Sequence, residues 1–215
     1  MKADVGGRQI ELSPNSKPYL LKRMVADGFD ILLIFGLFML FTMILLRTPI
    51  AKTYQTHFDA AQAIQKETVE AFGNDADAVT QALSSNMEYQ NELFTANIYS
   101  YVMKALAALL AEIPVLLIVP YLNKNRSTPG KLMTGIMLFS ERRNSRARWY
   151  QIFYRFLFVF LIDSLGLYLF TGILTFLMVP VVRLMEMLLN KKNKTICDFV
   201  TGIMVIEKLS YNGIH

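Results

Sequence analysis

The chain has 215 residues, of which 53% are hydrophobic and only 18% charged, and its mean hydropathy is +0.34. Soluble domains carry about 25% charged residues, so this composition argues against both a cytosolic enzyme and a disordered binding segment. The single cysteine, Cys197, and two distant histidines, His57 and His215, leave no disulfide framework and no Cys/His metal set.

Residues 1–28 hold five basic side chains and predict a cytoplasmic N-terminal segment. An 18-residue apolar run over 29–46 follows, interrupted only by Asp30. It is about the minimum that crosses ~30 Å of hydrocarbon, and it starts too late for a signal peptide. The segment 47–97 has three basic against seven acidic residues and predicts an external segment. Within it Ile50, Tyr54, Phe58, Ala61, Ile64, Thr68 and Phe72 recur at steps of three or four, as do Val79, Leu83, Met87, Gln90 and Phe94. Gly73 suits a helix C-terminus and Asn74 or Asp75 an N-cap, so the pattern predicts a long external helical hairpin, either a solvated stalk or a docking surface.

A second apolar run, 98–122, carries Lys104 and Glu112, and completes a region 29–122 with two transmembrane helices. The loop 123–149 has seven basic residues. The apolar stretch 152–189 is too long for one span, since 38 residues of helix reach ~57 Å. A hairpin at Ser164-Leu165-Gly166 would divide the region 150–189 into third and fourth transmembrane helices. The tail 190–215 has four basic residues. Basic segments mark the cytoplasmic side, so parity requires four spans with both termini inside, in a multi-pass protein of the inner cell membrane. The net charge of +5 is then a topology signal, not the footprint of a nucleic-acid partner.

Thr128 to Met137 reads TPGKLMTGIM and Thr195 to Met204 reads TICDFVTGIM, with five of ten positions identical. Each follows a pair of expected spans, and Arg23 with Asp30 resembles Arg155 with Asp163 in type and spacing. The fold class expected is an all-α membrane protein: four transmembrane helices as two parallel repeats, the external hairpin, and short cytoplasmic β arms formed by the residues after each TGI. Pairing of the arms is expected to bring Thr134 beside Thr201.

Charges inside spans are functional-site hypotheses by default, because each costs at least ~2.5–3.5 kcal/mol at a helix centre. Arg23, Asp27 and Asp30 fall at i, i+4 and i+7 and share one helix face. Glu112, Arg155, Arg183 and Glu186 belong to the same inner half, and Asp198 stands just below it. Three arginines thus face five carboxylates. Carboxylates in excess must stay protonated or hold a cation, which is the requirement of a proton- or cation-coupled site. Asp30, Glu112 and Asp27 are the binding candidates; Arg23, Arg155, Arg183, Glu186 and Asp198 are structural or gating charges, with Arg23 expected to pair along its helix with Asp27.

Arg23-x-x-Ala26-x-x-x-Asp30, then Thr128-Pro129-Gly130-Lys131, then Asp198 ahead of a Gly-containing apolar strand, resemble the RDD family of bacterial membrane proteins over residues 17–208. The arginine and two aspartates that name the family map onto Arg23, Asp30 and Asp198. Cys197 stands where a histidine often precedes the second aspartate. The resemblance implies a multi-pass membrane fold and, for activity, cation/proton antiport. The expected function is a small secondary transporter exchanging a monovalent cation for protons, without cofactor, in the lipid bilayer as a homo-oligomer or beside another membrane protein. The alternative is a non-transporting adaptor that binds a membrane protein or enzyme. No catalytic motif is present, and Gly130-Lys131 are expected to turn the chain as it leaves the membrane.

Overall fold

The computed structural model describes residues 2–5, 8–11, 17–73, 75–140, 145–166, 175–189 and 194–207. They are mostly helical and divide into two compact units, Met1–Phe38 with Ala108–His215, and Met39–Ala107. Two helical stretches, Leu20–Leu45 and Met87–Leu122, are long and apolar enough to cross a membrane, and Trp149–Ile162 is a shorter apolar helix. Their burial pattern is inverted relative to a soluble core. Leu32 is 70% exposed, whereas Arg23, Asp27, Asp30 and Glu112 are buried. Hydrocarbon solvates the leucines, and the charges turn inward to find partners.

The longer unit opens with a hairpin, β1 (Lys2–Val5) antiparallel to β2 (Arg8–Glu11), absent from the expected elements although Gly6-Gly7 between the strands is a hairpin signal. Helix α1 (Lys17–Leu45) carries the Arg23-Asp27-Asp30 face. In the shorter unit, α2 (Pro49–Phe72) starts with Pro49 at its first position and ends at Gly73, whose amide bonds the Val69 carbonyl at 2.8 Å. The Asp75 carboxylate accepts the Ala78 amide and opens α3 (Ala76–Ser85). The expected single second limb is interrupted. Ser85 bonds back to the Gln81 carbonyl, and Asn86 accepts the Tyr89 amide at 3.0 Å, so that α4 (Met87–Glu112) begins afresh. Ser-Ser-Asn competes for backbone groups more strongly than the apolar spacing holds the helix straight. Within this unit His57 Nδ1 lies 2.6 Å from Glu92 Oε2, and the imidazole stacks on Tyr99, tying α2 to α4.

Past Glu112 the helix continues as a π-helical segment, Ile113–Ile118, then α5 (Val119–Leu122). Pro114 and Pro120 each withhold an amide, so the ladder re-registers instead of breaking. Helix α7 (Trp149–Phe158) likewise runs into a π-helical segment, Val159–Gly166. Ser164-Leu165-Gly166, expected as a hairpin, is therefore helical. One glycine costs only about 1 kcal/mol in a helix, too little to break an apolar run. The residues between Gly166 and α8 (Thr175–Leu189), and with them the start of the expected fourth span, lie outside the described residues.

The two TGIM segments have one design. Thr128 precedes α6 (Pro129–Met133), Gly135 has φ +70° and β3 spans Ile136–Ser140; Thr195 precedes α9 (Ile196–Thr201), Gly202 has φ +63° and β5 spans Ile203–Glu207. The left-handed φ at both turns is what demands glycine there. β3 pairs antiparallel with β5, and β4 (Ser145–Arg146) adds to its other edge. Ile136 faces Glu207, Leu138 faces Val205 and Ser140 faces Ile203, a register symmetric about the Leu138–Val205 pair. Thr134 and Thr201 consequently sit at opposite ends of this ladder, not side by side as expected, because antiparallel pairing reverses one arm. Ile136, Leu138, Ile203 and Val205 pack with Ala26 of α1, while Met137, Phe139, Met204 and Ile206 form the other layer. The sheet is thus fixed beside the charged end of α1.

Candidate functional site

The site begins with α6, a helix of five residues whose first amides need an acceptor. Asp30 supplies it from α1. The Gly130 amide donates to Asp30 Oδ1 at 2.7 Å, and the Thr128 hydroxyl donates to Oδ2. The Lys131 ammonium lies 3.6 Å from the same Oδ2 and donates to Asp27 Oδ1. This approach needs a glycine: a Cβ at position 130 would collide with the Ala26 carbonyl oxygen and come within 3.0 Å of Asp30 Oδ1. Lys131, expected to lie where the chain turns into water, is buried. Its stem and charge turn in toward two carboxylates one helical turn apart on α1.

The second arm is organised differently. Thr195 Oγ1 accepts the Asp198 amide at 3.3 Å and the Asp198 carboxylate accepts the Thr195 amide at 3.4 Å, a reciprocal capping box within α9. The same carboxylate accepts from the Arg23 guanidinium and lies 3.1 Å from Arg155 Nη2, so one fully buried group joins α9 to α1 and α7. Burial pushes the Asp198 carboxyl up, but Arg23 and Arg155 together outweigh it and hold it well below the usual carboxylate range. Burial pushes the neighbouring Cys197 thiol up to about 11. Arg23 also lies 4.0 Å from Asp27, the expected i, i+4 contact, although its close partner is Asp198.

Glu186 of α8 accepts the Ile196 amide at 3.1 Å and so meets the first turn of α9. Asp27, Arg155, Arg183 and Glu186 line a cavity of about 50 Å³ that Thr195 and Cys197 close. A smaller space of about 20 Å³ adjoins Asp30, Thr128, Lys131, Arg155 and Arg183. Both exceed the volume one water needs, and each sets charged groups beside apolar side chains such as Val159. Glu112 is buried at the junction of α4 and the π-helical segment. The structure therefore gathers Arg23, Asp27, Asp30, Arg155, Arg183, Glu186 and Asp198 with the Thr128-to-Lys131 motif around the ends of two short helices.

Sequence reading placed Lys131 in the turn motif and not among the site charges, and it overlooked Lys194 and Gln151. Lys131 and Lys194 are both buried, and Lys131 adds a fourth cation beside the five carboxylates, against Asp27 and Asp30. Gln151 bonds both the Ser140 hydroxyl and the Thr201 carbonyl, linking the two arms. For Lys131 a signal was present: it occupies in TPGK the position that Asp198 occupies in TICD.

The family model described as RDD family matches residues 17–202. No curated protein and no solved structure matches the chain.

Proposed function

The chain belongs to the RDD family of membrane proteins, and from that premise we propose that it is a small secondary transporter exchanging a monovalent cation for protons. The observation that carries the reading is Asp27: a buried carboxylate in an apolar helix, lining with Glu186 a cavity large enough for water or a dehydrated monovalent ion. Protonation of Asp27 would free Lys131 to move toward Asp30, which keeps α6 on α1. Asp30, whose oxygens already accept Gly130 and Thr128, acts in this scheme as the fixed anchor of that movement. Glu112, beside a π-helical interruption, is the second titrating candidate. We further propose four spans with both termini cytoplasmic, the segment 47–97 external, and two parallel repeats; the basic-residue distribution and the symmetric β3–β5 register support that arrangement. The test is a sealed vesicle with an imposed pH gradient: the purified chain should dissipate it on addition of Na⁺, K⁺ or Li⁺.

One observation favours a second reading, a non-transporting adaptor. Asp27, Asp30 and Asp198 all have cationic partners, as in a lattice that only fixes helix register. A well-folded chain that leaves the gradient intact with all three ions would establish that reading over transport.

A further inference from the structure

Away from the charge lattice, the connection between α5 and α7 encloses a cleft of about 630 Å³. Lys124, Arg126, Arg146 and Arg148 line it together with Tyr121 and Trp149, and among the described residues no acidic side chain lines it. The Arg126 guanidinium lies over the Tyr121 ring, 5.6 Å from its centroid, and donates to the Tyr121 carbonyl. Among the described residues Arg126 is the one non-glycine with a left-handed backbone, at φ 55°. The Asn123 side chain accepts the Asn125 amide at 2.9 Å and shapes the turn that leads into it. The loop thus presents Arg126 to the cleft in a fixed pose. Across it, α7 begins, and its first amides add partial positive charge.

We infer that this cleft is a headgroup site for an anionic phospholipid. A phosphate-bearing anion is what four basic groups at a helix start select. The lipid source follows from the surroundings. Tyr121 closes one apolar helical run, Met87–Leu122, and Trp149 opens another, Trp149–Ile162, so the cleft lies where both meet the polar boundary. Trp149 is 61% exposed and Leu122 76%, surfaces that need acyl chains beside the headgroup. Basic pockets between spans on the cytoplasmic side have this chemistry. The inference rests on the membrane reading and is independent of ion exchange.

Trp149 is the only tryptophan, so its fluorescence reports on this cleft directly. The full-length chain would be placed in phosphatidylcholine vesicles containing either brominated phosphatidylglycerol or, at the same fraction, brominated phosphatidylcholine. The anionic lipid should quench Trp149 more strongly, and the preference should fall about fivefold for each basic residue removed in Arg126→Gln or Lys124→Gln. Lys66→Gln, an exposed position on α2, should leave it unchanged. Excess inorganic phosphate should not restore the fluorescence; restoration would assign the cleft to a soluble anion and overturn the lipid. Equal quenching by the two brominated lipids in the unaltered chain, or an unaltered preference in both cleft variants, would also overturn it. Absence of quenching by both lipids would reject the placement of this helix end at the membrane, and the lipid site with it.

Discussion

The arms Thr128–Ser140 and Thr195–Glu207 share a backbone design and differ in what holds it. At the third helical position the first arm has Lys131 and the second Asp198, and each is buried against charges of opposite sign. The first arm spends the Thr128 hydroxyl on Asp30 and is capped from another helix; the second is capped by its own Thr195 and Asp198. A common local fold therefore coexists with opposite dependence. The first arm exists because α1 supplies a carboxylate, whereas the second uses one carboxylate both to cap itself and to bind α1 and α7.

The largest effect should come from Asp198→Asn, which leaves two buried guanidiniums short of charge and weakens the cap. We expect a loss of ~3–5 kcal/mol in thermal unfolding in detergent, partly recovered by adding Arg23→Gln. Next is the pair of equivalent positions 130 and 197. Gly130→Ala should cost about 1–3 kcal/mol, because its Cβ meets the Ala26 backbone, whereas Cys197→Ala, where a side chain is already accommodated, should cost less in the same assay. Similar losses at the two sites would break the claimed asymmetry.

Asp30→Asn should lower stability by about 1–3 kcal/mol and do so locally: amide hydrogen exchange should accelerate in α6 and stay unchanged in α9. Acid should act on the opposite arm. The Asp198 carboxyl is depressed when folded, so its contribution is fully present above its ordinary value of 3.8 and lost as pH falls below that toward the folded value. Unfolding followed against pH should show protection of α9 falling in that acidic window. The smallest effect is chemical. With its thiol raised to about 11 and buried, Cys197 should be alkylated far more slowly at neutral pH in the folded chain than after denaturation.

The parts legible in sequence were those with a local period or a local cap. The apolar helix after Arg23, the shared face of Arg23, Asp27 and Asp30, the caps at Gly73 and Asp75, and the β-prone residues after both TGI segments all follow from spacing within a few residues. Asn86 was missed because apolar residues continue at helical intervals across it, whereas the β1–β2 hairpin was legible in the Gly6-Gly7 pair between two short strands and was overlooked beside the apolar helix. The partners in the site were illegible for a different reason. Asp30 meets Gly130, Asp27 meets Lys131 and Arg23 meets Asp198 across long stretches of chain, so no periodicity encodes them. Lys131 looked like an interfacial residue by position alone. Its burial reduces the supposed excess of acid and gives Asp27 and Asp30 a shared cation, while Asp27 also lines the cavity.

The central claim is that the Asp27–Lys131 contact is a moving part of ion exchange and not only a brace. It is tested most directly by measuring gradient dissipation and Tm on four proteins: the parent, Asp27→Asn, Lys131→Met and the double variant. The account predicts that the double variant recovers part of the stability lost by Lys131→Met, since one of the two carboxylates that faced the ammonium is neutralised with it, while cation-dependent proton movement, present in the parent, stays absent in every protein lacking Asp27. Exchange restored together with stability in the double variant would contradict it and leave the pair a brace.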